Sequence, residues 1–87
     1  MYVILVYDID EKQVGKMLKL CRRYLHWIQN SVFEGEITEV KLKELLIHAK
    51  KIMMEGKDSI IVFKSRQEKW LDKIIIGVEK NPLNNII

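Results

Sequence analysis

Two hydrophobic periods alternate along the chain. Tyr2-Val3-Ile4-Leu5-Val6-Tyr7 is an unbroken apolar run, rich in β-branched and aromatic side chains. Such a run predicts a central strand covered on both faces. Asp8 and Asp10 end it. From 11 to 25 the period becomes helical: Val14, Met17, Leu18, Cys21, Tyr24 and Leu25 recur at i, i+3, i+4 spacing, with Lys12, Lys16, Lys19 and Arg23 on the opposite face. Asp10 is placed to N-cap this helix, and Gln13 three residues on completes a pair resembling a capping box. Between His26 and Ile37, two short strands are expected around Asn30-Ser31 and Glu34-Gly35, built on Trp27, Ile28, Val32, Phe33 and Ile37. Gly35 signals a bend or bulge.

Thr38 is the N-cap of a second helix, with Glu39 favourable in its first turn. Leu42, Leu45, Leu46, Ala49, Ile52 and Met53 form its apolar stripe, Lys41, Lys43, Lys50 and Lys51 lie off it, and Gly56 is the expected stop. Ser59 to Phe63 is another buried-type strand. The order βαββαβ predicts an α+β, ferredoxin-like domain with core 1–64, two helices lying over one face of a four-stranded, mostly antiparallel sheet. After a polar stretch, 65–72, anchored by Trp70 and Leu71, residues 73–78 carry a fifth apolar strand centred on Ile74, Ile75 and Ile76. It lies outside the six-element core and must pair somewhere; a partner subunit's sheet edge is one solution.

Composition narrows the class. Eighty-seven residues make one domain, 1–87, and a chain this short gains stability by dimerising. Hydrophobic residues at 48% and charged residues at 31% fit an ordered globule rather than a disordered tail. The one cysteine, Cys21, excludes an intramolecular disulfide and a Cys-rich zinc site, and it suits a reduced, cytoplasmic setting. The apolar run at the N-terminus is too short for a signal-peptide core, and no stretch has the roughly 18 apolar residues of a membrane helix.

Catalytic candidates are few. There is no phosphate-binding Gly-rich loop and no nucleophile elbow. His26 and His48 sit on different elements and read as surface or boundary residues. Ser31 reads as a turn residue, with no histidine placed to activate it. For Asp10 the capping role is preferred. For Asp8 two readings stay open: turn chemistry, or a carboxylate ligand for Mg2+, which takes one or two carboxylates together with waters and phosphate oxygens. A two-fold axis near Asp8 would bring in the second carboxylate, and such a site could activate water against a phosphodiester. Ten of the fifteen Lys and Arg residues fall between Lys12 and Lys57. They form either solvated helix faces or a phosphate-tracking surface that includes Lys12, Lys16, Lys19 and Arg23. Tyr7 and Phe33 either pack the core or stack on bases.

Three segments together carry a resemblance: Tyr7-Asp8-Ile9 closing the first strand, Ile28-Gln29-Asn30-Ser31-Val32-Phe33-Glu34-Gly35, and Asp58-Ser59-Ile60 opening a later strand. In this order they resemble the Cas-two family of CRISPR-associated proteins, over essentially the whole chain. The resemblance implies a homodimer whose last strand crosses to the partner, and a role in adaptation, the insertion of new spacers into a CRISPR array. There the dimer bridges integrase dimers of the Cas-one family and supports a DNA duplex. It also implies Mg2+-dependent endonuclease activity on single-stranded RNA or duplex DNA, with Asp8 as the metal and catalytic residue, and it matches Tyr7 and Phe33 to family positions. Relatives often carry an arginine early in the first helix; Gln13 stands there here, with Lys12 and Lys16 nearby. Lysine still neutralises phosphate, without the bidentate fork of arginine. The segment 74–78 and the tail after Pro82 are candidate integrase contacts. A toxin-like RNA nuclease on the same scaffold, outside adaptation, is the alternative.

Overall fold

A computed structural model describes residues 1–66, 72 and 74–77. The chain runs β1 (Tyr2–Asp8), a 3₁₀ turn (Glu11–Gln13), α1 (Val14–Arg22), β2 (His26–Gln29), β3 (Val32–Glu36), α2 (Glu39–Ile52) and β4 (Ser59–Ser65). The strands form one sheet in the order β2-β3-β1-β4, with every neighbouring pair antiparallel. This is the ferredoxin-like βαββαβ arrangement.

The core follows from the pleat. Val3, Leu5 and Tyr7 on β1 point to one side and are buried, together with Phe33 on β3. Met17, Leu20 and Cys21 of α1, and Leu42, Leu45 and Ala49 of α2, close over them. The opposite face differs from the expectation of a strand covered on both sides. Ile4 and Val6 are only half-buried, and their β4 partners Phe63 and Ile61 are 55% and 54% exposed. A continuous apolar run therefore marks β1 as central without requiring helices on both faces.

Several boundaries move. The segment expected as one helix over 11–25 divides into a 3₁₀ turn and α1. The helix ends early because the Arg23 and Tyr24 amides donate to Leu20 O and Cys21 O, tightening the last turn. Val14, expected on the apolar stripe, is 40% exposed. β2 and β3 are joined by Asn30-Ser31, with Asn30 at φ +45°, a left-handed position that asparagine tolerates. The bulge expected at Gly35 is absent there, since Gly35 stays in register opposite Val3. The register shift falls instead between Trp27 and Gln29. At α2, Thr38 Oγ1 accepts from Lys41 N at 3.1 Å, the expected cap. The helix stops at Ile52, before Gly56, because Met53 turns extended (ψ 148°); Gly56, at φ +81°, serves the next turn.

Of the expected fifth strand, residues 73 and 78 lie outside the described residues. Ile74, Ile75 and Ile76 have no regular secondary structure within the single chain, and Ile74 and Ile76 are 86% and 96% exposed. Trp70, Leu71 and the tail after Pro82 also lie outside the described residues. Among the described residues no helix is long and apolar enough to cross a membrane.

Candidate active site and basic groove

Three aspartates meet where β1 ends and β4 begins. Asp8 closes β1 opposite Ser59, Asp10 follows in the connection to α1, and Asp58 immediately precedes β4. Two of the three are occupied structurally. Asp10 Oδ1 accepts from Lys12 N at 2.9 Å, capping the 3₁₀ turn, and its Oδ2 meets Lys57 Nζ at 3.0 Å. The Lys12 amide, and then Lys57, hold the Asp10 carboxyl below its ordinary pKa, and Asp10 in turn raises that of Lys57. Asp58 Oδ1 accepts from Asp10 N at 3.0 Å and Oδ2 from Met54 N at 2.7 Å. Asp58 thus staples the loop leaving Asp8 to the loop leaving α2. Asp8 is exposed, and its carboxylate has no hydrogen bond or ion pair among the described residues.

That separation bears on metal binding. An unengaged, exposed carboxylate supplies the hard oxygen that Mg2+ prefers. The set is small, because no group of three His, Cys, Asp or Glu residues gathers tightly enough to hold a metal among the described residues. The residues present therefore fit Mg2+ as one carboxylate ligand per chain.

Beside Asp8 opens a cavity of about 420 Å3. Tyr7 and Asp8 from β1, Val14 and Leu18 from α1, and Trp27, Asn30 and Ser31 from the β2–β3 hairpin line it. Trp27 Nε1 donates to Asn30 O at 2.9 Å, and the Arg22 guanidinium lies 5.7 Å from the indole centroid. The Tyr7 hydroxyl is buried without a hydrogen-bond partner among the described residues, and burial raises its pKa, with a smaller contribution from nearby Cys21. Cys21 is fully buried, which pushes its thiol up to about 12 and keeps it protonated and unreactive.

Of the two roles open to Tyr7 and Phe33, core packing is the one observed: they stack on each other, with centroids 5.9 Å apart and planes at 28°. They are 3% and 0% exposed, so Phe33 offers no ring face to a base and Tyr7 offers only its cavity edge. Their alternation with Leu5 on the pleat puts them on the helix-covered side. The basic candidates divide. Lys16 and Lys19 of α1 and Arg23, its C-cap, line a groove of about 380 Å3 with His48 of α2, over Leu20 and Ile52. Lys12 lies apart, beside Asp10. Sequence reasoning passed over Asp58 as a staple, Trp27 as a cavity wall and His48 as a groove residue. The Asp58-Ser59 start of β4 was the available signal for Asp58; nothing local marked the other two.

Known proteins resemble the chain over most or all of its length. A family model described as CRISPR associated protein Cas2 matches residues 1–73. A protein of Dictyoglomus turgidum named CRISPR-associated endoribonuclease Cas2 is 45% identical over 87 residues, covering all of both chains. One of the same name from Fusobacterium nucleatum is 42% identical over 92 residues, covering all of this chain and 87% of the relative. The Pyrococcus furiosus relative, again of that name, is 41% identical over the whole of both chains. Among solved structures, a cas2 crystal structure superposes with TM-score 0.85 at 40% identity, covering 95% of this chain and 93% of the other. Streptococcus pyogenes Cas2 gives TM-score 0.72 at 26% identity, covering 85% and 99%. With the tripartite motif, the sheet order and the exposed strand-end aspartate alongside these matches, the chain belongs to the CRISPR-associated Cas2 family.

Proposed function

We propose that the protein acts as a homodimer in CRISPR adaptation, binding nucleic acid and bridging integrase subunits of the Cas-one family, with Mg2+-dependent phosphodiester cleavage at Asp8. The observation that carries the catalytic part is the unengaged Asp8 carboxylate, close to two aspartates that are already spent on structure. A second copy would supply the second carboxylate. Support for the dimer comes from the half-covered sheet face, with Ile61 and Phe63 exposed, and from β4, which pairs on one side only among the described residues. An unpaired edge beside exposed apolar side chains invites an added strand, and Ile74, Ile75 and Ile76 are the segment proposed to cross.

Mg2+, when bound, would lower the pKa of a coordinated water and offset charge on the phosphate. The chain's own part is positional. Asp58, Asp10 and Lys57 hold the loop that presents Asp8, and Lys16, Lys19 and Arg23 draw a phosphate backbone, RNA or DNA, to the α1 side. Lys12, exposed at the start of the first helical segment, adds charge near Asp8.

The test is Asp8→Asn, with Asp8→Ala beside it. The expected result is a variant that still dimerises, binds duplex DNA and captures the integrase, but cleaves neither single-stranded RNA nor duplex DNA in Mg2+. Cleavage by Asp8→Ala at the wild-type rate would refute the catalytic part. Lost spacer acquisition with dimer and integrase binding intact would refute a purely structural adaptor. The toxin-like alternative outside adaptation has no observation in its favour.

A further inference from the structure

We propose that the cavity beside Asp8 is a binding pocket for one unpaired nucleobase, so that the protein engages single-stranded nucleic acid with a base seated against Trp27. The inference rests on the reading of Asp8 as the group that faces the phosphate.

Four observations carry it. The cavity, about 420 Å3, falls in the usual range for small-molecule sites, roughly 300–1,000 Å3. Its lining is largely apolar, with Val14, Leu18 and Trp27 among the residues that form it. Val14 is exposed although it lies on the apolar stripe of its helix, and an occupant of the cavity would cover it. Base recognition relies on this kind of wall, because every base has a π face while only some offer a given hydrogen-bond pattern.

The indole is held in place before any ligand arrives. Its Nε1 is committed to Asn30 O at 2.9 Å, and the Arg22 guanidinium lies 5.7 Å from the ring centroid. Pre-orientation of this kind lowers the cost of stacking.

The cavity also has polar groups for a base edge. Asn30 and Ser31 stand at its rim. Tyr7, 3% exposed, offers only an edge to it, with its hydroxyl closed off from solvent.

The last observation is placement. Asp8 lines the same cavity. A base seated there sets its own sugar-phosphate beside the Asp8 carboxylate. A base inside a duplex is stacked and paired and could enter only after extrusion, so the pocket selects single strands, loops or frayed ends.

The experiment is an NMR titration in EDTA, which isolates binding from metal chemistry. The chain has two tryptophans, so two indole N–H signals are expected, and Trp27→Phe assigns them. Adenosine 5′-monophosphate should shift the Trp27 signal. Ribose 5-phosphate, which lacks the base, should shift neither. Deoxyadenosine 5′-monophosphate distinguishes DNA from RNA as the source: an equal shift assigns recognition to the base alone, a weaker one adds the 2′-hydroxyl.

Followed by the backbone amide signals of Asn30 and Ser31, Trp27→Ala should weaken binding about five- to 150-fold, the loss typical of one base stack. Trp27→Phe, which keeps a ring, should retain most of it, and covers the case in which the alanine variant does not fold. An equal shift with ribose 5-phosphate, or an unmoved Trp27 signal at saturating nucleotide, would overturn the proposal. Cleavage by Asp8→Ala in Mg2+ would overturn the reading of Asp8 and leave the nucleotide titration unaffected, so the two failures are separable.

Discussion

Asp58 offers the sharpest quantitative test of how the fold holds Asp8. Its two carboxylate oxygens accept from Asp10 N at 3.0 Å and from Met54 N at 2.7 Å, residues 48 and 4 positions away. Asp58→Ala deletes both bonds and little packing. A hydrogen bond to a charged group contributes about 1.5–3 kcal/mol. The bond to Asp10 is partly buried and the bond to Met54 exposed, so water replaces part of each, and the lower end applies. The expected loss is about 2–3 kcal/mol, or roughly 10–20 °C in Tm for a domain of this size. Asp58→Asn keeps one acceptor oxygen but turns a donor toward the other amide, so it should cost about half as much. Urea unfolding of all three proteins at one fixed protomer concentration reads these differences, since dimerisation makes stability depend on concentration. A readout separate from stability is the Mg2+ concentration for half-maximal cleavage, which should rise in Asp58→Ala at a temperature where it is fully folded. An alanine variant within about 0.5 kcal/mol of wild type would refute the staple.

Three further outcomes follow from the same structure. Tyr7→Phe removes a buried hydroxyl with no partner among the described residues, so it should be neutral or stabilise the free protein by up to about 1–3 kcal/mol in the same urea assay; marked destabilisation would show that the hydroxyl is satisfied in solution. Cys21, pushed up to about 12, has a folded-state pKa above its unfolded value, and Tyr7 is shifted in the same direction. Their contribution to stability is therefore full below about pH 9 and lost as pH rises through the folded values. Urea midpoints should fall between pH 9 and 11, and less steeply in Cys21→Ala. Replacing Lys16, Lys19 and Arg23 together with alanine should lower the slope of log affinity for duplex DNA against log salt by about 2–3, near 0.9 per lost phosphate contact, while leaving Mg2+-dependent cleavage of short substrates in place; an unchanged slope would remove the groove from the binding surface.

The strand and helix periods were legible because each element buries one face, and burial writes itself into spacing. β1, the Thr38 cap and β4 appear where the pattern places them. The ends of α1 and α2 were less legible, because a local competition among backbone hydrogen bonds decides them. Gly56 looks like a helix stop, yet the chain leaves α2 at Met53 and uses Gly56 in the following turn. Tyr7 and Phe33 show a different limit. An aromatic residue beside a strand end looks the same in sequence whether it faces solvent or core, and only the pleat opposite Leu5 and under α1 decides it.

By itself, the sequence determined the order of elements, the family and the exceptional position of Asp8 at the end of the first strand, since these depend on periods and motifs local to the chain. Tertiary structure alone decided which carboxylates are spent. Asp8, Asp10 and Asp58 are chemically identical, and two of them come together only because β4 pairs with β1 across half a hundred residues. That pairing turns Asp58 onto the Asp10 amide, draws Lys57 to Asp10, and leaves Asp8 lining a cavity to which a tryptophan on another strand also contributes. Availability of a functional group depends on which neighbours have already satisfied it, and those neighbours come from distant segments that no local pattern brings together.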